Sequence, residues 1–159
     1  SRPKDVLVPC SSGGVFTAFK QAFTPKWGQK IVSNKGLAAM GYGLSAAIGA
    51  SFANNKKIVI HLEGDGGFSQ NLQEIGTMMI NKLNIKSFIF DDSGYASIRM
   101  TQKNYFDGEY MGCDIKSGLG IPNWEKLFLA WGLKSYKLNN NFDTDKTFLK
   151  YFHSNLRNN

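Results

Sequence analysis

Two short stretches of this 159-residue chain set carboxylates among glycines: "EGDGG" at 63–67 and "FDDSGY" at 90–95. Each lies at the end of an apolar run that reads as a buried strand. Gly64, Gly66 and Gly67 let the backbone approach a ligand closely, and the helical pattern that follows opens rich in amide donors, as anion sites do. Asp65 is awkward in that reading, because a carboxylate repels an anion. Asp91 and Asp92 are awkward too, because adjacent like charges oppose one another's ionisation. A hard divalent cation resolves both difficulties. Mg2+ takes carboxylate oxygens at about 2.1 Å and bridges to phosphate oxygens. One cation thus accounts for Asp65 and Asp92 together. Two other readings stand beside it. Gly64, Gly66 and Ser69 fall on a dinucleotide-binding fingerprint, with Asp91 or Asp92 as the ribose acid, although Ser stands where Gly or Ala is usual. A second near match, Gly41, Gly43 and Ala46, lacks an apolar strand directly before it. In the plainest reading Asp65 only caps a helix and Asp91–Asp92 form a solvated turn.

The elements that must position these residues alternate. Residues 5–9, 30–33, 57–66, 85–90 and 133–138 read as strands. Residues 13–23, 41–54, 70–83, 123–132 and 143–156 read as helices. The spacing of Leu72, Ile75, Gly76, Met79, Ile80 and Leu83 puts them on one helical face. Pro122 suits the start of the fourth helix and Gly132 its end. Strands alternating with helices predict an α/β fold, a parallel sheet flanked by helices on both faces. Ligands in such sheets bind beyond the carboxyl ends of the strands, where both acidic stretches lie.

Composition excludes several classes. Hydrophobic residues make up 42% of the chain, enough for one domain with a sizeable core. No apolar run reaches the ~18 residues of a membrane-spanning helix, and "SRPKDVLVPCSSGG" lacks the apolar region of a signal peptide. Cys10 and Cys113 are far apart with no CxxC, which argues against a disulfide framework or a zinc site and for reduced thiols in a cytoplasm. Lys and Arg number 19 against 12 acidic residues, a net charge of +7. The basic residues are scattered, as at Lys82, Lys86, Lys134 and Lys150, without the stripe a nucleic-acid partner calls for. Anionic small ligands fit the charge as well.

The stretch "GDGGFSQNLQEIGTMMINKLNIKSFIFDDSGYASIRMTQ" (64–102) resembles the thiamine-diphosphate fold motif, a GDG followed some two dozen residues later by an Asn pair. Here residues 67–90 separate Gly66 from Asp91. "GLAAMGYGLSAAIGA" (36–50) is similar to the matching segment of acetolactate synthase-like enzymes, and "GCDIKSGLGIPNWEKL" (112–127) continues the likeness weakly. The resemblance runs from about Val6 to Trp131. It implies that the side chains of Asp65 and Asp92 and the carbonyl of Gly94 hold Mg2+, and that Gly64, Gly66 and Gly67 form the diphosphate loop, with N–H groups of the last two on the diphosphate. It implies that Met40 is the apolar wedge that bends the cofactor, and that the carbonyl of Ala38 accepts from its aminopyrimidine. Ser12 and Gly13, in "CSSGG", match a loop that touches the diphosphate. Met40 as plain core, and Ser12–Gly14 as a mere helix start, are the alternatives. Cys10, His61 and His153 read as structural, His61 as a hydrogen-bonded core histidine. Arg99 and Gln102 are candidates to face a substrate.

In such enzymes a pyrimidine-binding domain supplies the glutamate that activates the cofactor, and the substrate is a 2-oxo acid that is decarboxylated or joined to a second carbonyl. Residues 1–159 match the C-terminal, diphosphate-binding domain alone, as a piece of a longer, homo-oligomeric enzyme or as a subunit beside a second one. The isolated chain is then expected to be inactive. A nucleotide-binding domain and a non-catalytic interaction module with a degenerate site are the competing expectations.

Overall fold

A computed structural model of the protein describes residues 2–55 and 57–153. Four strands, β1 (Val6–Pro9), β2 (Lys30–Ile31), β3 (Val59–Gly64) and β4 (Ile85–Phe90), form one sheet in the order β2-β1-β3-β4. Every pairing in it is parallel, with Val6 opposite Val59 and Val59 opposite Ile85. The helices are α1 (Gly13–Ala22), α2 (Tyr42–Ala53), α3 (Asp65–Phe68), α4 (Glu74–Ile80), α5 (Ala96–Tyr105), α6 (Trp124–Ala130) and α7 (Lys146–His153). No helix among the described residues is long and apolar enough to cross a membrane.

Alternation along the strands builds a core on each face of the sheet. Val6, Val8 and Val59 point one way, into a cluster with Leu44 and Ile48 of α2 and Ile75 and Met78 of α4. Leu7 and Ile60 point the other way, against Phe19 of α1 and Phe152 of α7. Each such fully buried aliphatic side chain contributes about 1.5–3 kcal/mol. Helices therefore cover both faces, as the alternating pattern predicts. In α2 the small residues Gly43, Ala47 and Ser51 are buried, which lets the helix lie close on the central strands. Phe68 holds α6 in place by edge contacts to Trp124 and Phe128, with ring centroids 5.9 and 5.8 Å away.

Three expectations need correction. The helix expected over 70–83 instead starts at Asp65 and is broken: α3 passes into a 3-10 turn, Ser69–Asn71, and α4 begins only at Glu74. Its buried face differs too. Ile75 and Leu83 are buried, but Ile80 is 84% exposed and Met78 lies inside in its place, because within α4 Met78 stands one turn from Ile75 whereas Ile80, five residues on, points away from it. Residues 133–138 form no strand. Lys134, Ser135, Tyr136 and Lys137 are exposed and do not join the sheet; Tyr136 instead packs on Tyr151 of α7, with centroids 4.7 Å apart. At α6 the cap is Asn123, whose side chain accepts the Lys126 N–H at 2.9 Å. The closing helix expected over 143–156 is seen as Lys146–His153; residues 154–156 lie outside the described residues.

Candidate functional site

Gly64 and Phe90 are paired across β3 and β4, so both acidic stretches leave the sheet at the same end. Asp65 opens α3 and is buried. Its Oδ1 accepts the backbone N–H of Gly66 at 2.8 Å. Its Oδ2 accepts that of Gly94, also at 2.8 Å, across 29 positions of sequence. The first aspartate of one stretch thus fixes the backbone of the other. Burial pushes the Asp65 carboxyl up from its ordinary value, the two backbone donors pull it down, and the Asp92 charge and a side-chain contact from Asp91 push it up again; the net direction is upward. Asp91 and Asp92 thus both act on the buried Asp65 carboxyl.

Close backbone approach explains the glycines here. A Cβ on Gly66 would lie 2.4 Å from the Tyr95 ring and 3.2 Å from the Gly94 carbonyl oxygen. A Cβ on Gly67 would lie 2.6 Å from Oε1 of Glu63, and one on Gly43 of α2 would lie 1.8 Å from Oε2 of the same residue. Glu63 is buried beneath the loop with His61. Nε2 of that histidine pairs with Glu63 Oε2 at 3.3 Å, and its Nδ1 pairs with Ser87 Oγ at 3.1 Å. His61 is therefore the hydrogen-bonded core histidine expected. Glu63 was not singled out from the sequence. Its signal is present: an acidic residue inside an apolar strand, on the same strand face as His61 two positions away.

The remaining site candidates surround this centre. Ser12 caps α1 without a side-chain bond, and a Cβ on Gly13 would lie 4.0 Å from Ser97 Oγ of α5. Gly64 faces Val15 of α1. Ser12, Gly13 and Gly64 thus sit beside the acidic loops. Ala38 and Met40 lie in the loop before α2, joined to the centre indirectly, through Asn71: its Nδ2 donates to the Gly41 carbonyl at 3.3 Å, while Gln70 donates to the Tyr95 hydroxyl at 2.7 Å. Ala38 holds a left-handed φ of 51°, a conformation that costs a residue with a Cβ about 1–2 kcal/mol. Met40 is 41% exposed, so it is not plain core.

Arg99 and Gln102 turn onto backbone. The Arg99 guanidinium donates to the carbonyls of Asp92, Ser93 and Cys113 and to Asp92 Oδ1. Gln102 exchanges hydrogen bonds with both backbone groups of Met111. No group of three or more His, Cys, Asp or Glu side chains able to hold a metal occurs among the described residues. Asp65 and Asp92 each carry a carboxylate, already accepting from Gly66, Gly94 and Arg99, and Gly94 a carbonyl; hard cations take oxygen ligands of these kinds.

Residues 12–156 match the family model described as "Thiamine pyrophosphate enzyme, C-terminal TPP binding domain". The acetolactate synthase large subunit of the red alga Porphyra purpurea is 38% identical over 109 residues, 69% of this chain and 18% of the relative. The acetolactate synthase isozyme 2 large subunit of Escherichia coli is 34% identical over 105 residues, 66% of this chain and 19% of the relative. The chloroplastic acetolactate synthase of Arabidopsis thaliana is 28% identical over 127 residues, 77% of this chain and again 19% of the relative. The chain thus spans less than a fifth of the length of these relatives. With a parallel sheet covered on both faces and GDG and DDSG loops at its carboxyl end, the chain belongs to the thiamine pyrophosphate enzymes, in which it is a C-terminal TPP-binding domain.

Proposed function

We propose that this domain is the diphosphate- and Mg2+-holding module of an acetolactate synthase-like enzyme, which acts on a 2-oxo acid by decarboxylation or carboligation. The observation that carries this reading is Asp65, buried and bonded to the backbone of Gly94. It binds the two acidic loops into one pole of the site, and the crowding of Asp65, Asp91 and Asp92 favours a cation there. Asp65, Asp92 and the Gly94 carbonyl would hold Mg2+. Gly66 and Gly67, in the short helix that opens after β3, would receive the diphosphate, next to Ser12 and Gly13. The Ala38 carbonyl would take the aminopyrimidine amino group, and half-exposed Met40 would press on the cofactor between its rings. When bound, thiamine diphosphate supplies the nucleophilic carbon and the electron sink; the protein supplies binding and orientation. The pyrimidine half of the site would come from a pyrimidine-binding domain of the same enzyme or a second subunit. The dinucleotide reading has the weaker support, since residues 12–156 match the TPP-binding domain model and Ser69 stands at the third position of the fingerprint where Gly or Ala is usual.

Calorimetric titration with thiamine diphosphate and MgCl2 tests the proposal. Binding should require Mg2+, and Asp65→Ala should weaken it at least ~10-fold, or about 1.4 kcal/mol. Binding that ignores both the metal and the substitution would refute the metal role, and no binding even beside a pyrimidine-binding domain would favour a non-catalytic module. The domain alone should not sustain pyruvate decarboxylation; steady turnover by the pure domain would remove the need for a partner.

A further inference from the structure

The two aspartates at 91 and 92 stand where the motif usually has asparagines, and α5 carries a residue placed to answer one of them. Arg99 sits on the first turn of α5, its backbone N–H on the Tyr95 carbonyl at 2.9 Å. Its Nη2 reaches the Asp92 carbonyl at 2.8 Å and Asp92 Oδ1 at 3.1 Å. Its Nη1 reaches the Cys113 carbonyl at 3.2 Å and the Ser93 carbonyl at 3.4 Å. One guanidinium therefore spans the whole turn between the acidic pair and Gly94. The turn needs such a clamp. Ser93 holds a left-handed φ of 64°, a conformation that a residue with a Cβ keeps only where surrounding structure over-determines it, and Gly94 follows with φ 134°, which glycine adopts freely. Tyr95 N–H on the Cys113 carbonyl at 2.8 Å holds the far side, and an isolated bridge pairs Gly94 with Asp114.

From this geometry we infer that Arg99 is a positioning residue for the metal loop, acting in two ways at once: its fork fixes the backbone that presents the Gly94 carbonyl, and its charge offsets the negative charge that Asp92 carries in place of a neutral asparagine. The inference rests on the proposed Mg2+ and diphosphate role of the site. The clamp needs an arginine, whereas the counterion needs only a positive charge. A guanidinium offers several donors in a fixed planar array and is permanently charged, whereas a lysine ammonium is a point charge that cannot reach three separate carbonyls in one plane. With Arg99 beside it, Asp92 presents an oxygen to a cation without its full charge facing an incoming diphosphate. Without Arg99, the same carboxylate adds to Asp65 and Asp91 and repels the anion, while the loop loses three of its backbone anchors.

A double-mutant cycle tests both halves. Thiamine diphosphate binding in the presence of Mg2+ is measured by calorimetry for the protein as it stands and for Arg99→Gln, Asp92→Asn and the double variant, and hydrogen exchange is followed at the Ser93, Gly94 and Tyr95 amides. Arg99→Gln should weaken binding at least ~10-fold with Asp92 present and no more than ~3-fold with Asn at that position, because the charge it balances has gone; amide exchange in the turn should rise at least ~10-fold in both backgrounds. Arg99→Lys should restore part of the affinity while leaving the turn fast to exchange. Equal losses of affinity in both backgrounds would overturn the counterion half, and unchanged exchange would overturn the clamp. If the parent protein binds no cofactor even beside a pyrimidine-binding domain while Arg99→Gln still loosens the turn, the cofactor reading fails and the clamp stands. If the parent binds normally and Arg99→Gln alters nothing, the role given to Arg99 fails alone.

Discussion

Glu63 lies next to two elements and one thiol. Its carboxylate fills the space under Gly67, meets Gly43 of α2, and faces Cys10 at the end of β1. Burial, with the Glu63 charge second, pushes the Cys10 thiol up to about 11 from an ordinary 9.0. The sign of the consequence follows from proton linkage. Between pH 9 and 11 the unfolded chain gives up this proton and the folded chain keeps it, so stability falls as pH rises through that window. Urea midpoints at pH 8.5 and 10.5 should therefore separate more in the parent protein than in Cys10→Ala. Equal separations would mean that the thiol titrates alike in both states. The same burial predicts slow alkylation of Cys10 at pH 8, since the thiolate is the nucleophile.

At the scale of elements, α2 offers a paired experiment on one helix. Gly49 is exposed, with nothing near the Cβ an alanine would add. Gly49→Ala should stabilise by about 0.5–1 kcal/mol, the ordinary helix preference. Gly43→Ala gains the same preference, but its Cβ would meet Glu63 Oε2 at 1.8 Å, His61 Nε2 at 2.8 Å and Glu63 Cδ at 2.9 Å. Overpacking costs about 1–3 kcal/mol and outweighs the gain, so the two substitutions should move the urea midpoint in opposite directions. A stabilising Gly43→Ala would show that the buried pair yields freely. The contrast also marks what a sequence discloses. Strands β1 and β3 are readable as β-branched runs ending in proline or glycine, and β4 as a short apolar run ending at two aspartates; all are local signals. The site's two acidic loops were readable because strand ends are where such sheets bind ligands. The break after α3 was not, since Gly66 and Gly67 read as a turn, and only contacts with Glu63 and Tyr95 show why they sit in a helix. Nor was the loss of a strand at 133–138, which depended on Tyr136 finding Tyr151. Arg99 was visible as a charge, but its partners lie on three residues that only folding brings together.

For the whole molecule, the order β2-β1-β3-β4 places β3 between a strand from the start of the chain and one from its middle. The segment joining β3 to β4 is less than half as long as the one joining β1 to β3. Closing the longer loop costs about 0.6 kcal/mol more per doubling of length, and non-local pairing is slow. The β3–helix–β4 unit should thus form in the folding transition state and β1 should dock later. Ile85→Val in β4 should slow folding, with a φ-value above about 0.5, while Val6→Ala in β1 should mainly speed unfolding. Similar φ-values at both positions would refute that order. Asp65 and Asp92 both belong to the early unit, so the acid pair assembles before α2, Ala38 and Met40 take their places. During synthesis the nascent chain would then join its two acidic loops ahead of the surfaces proposed to meet the cofactor's rings.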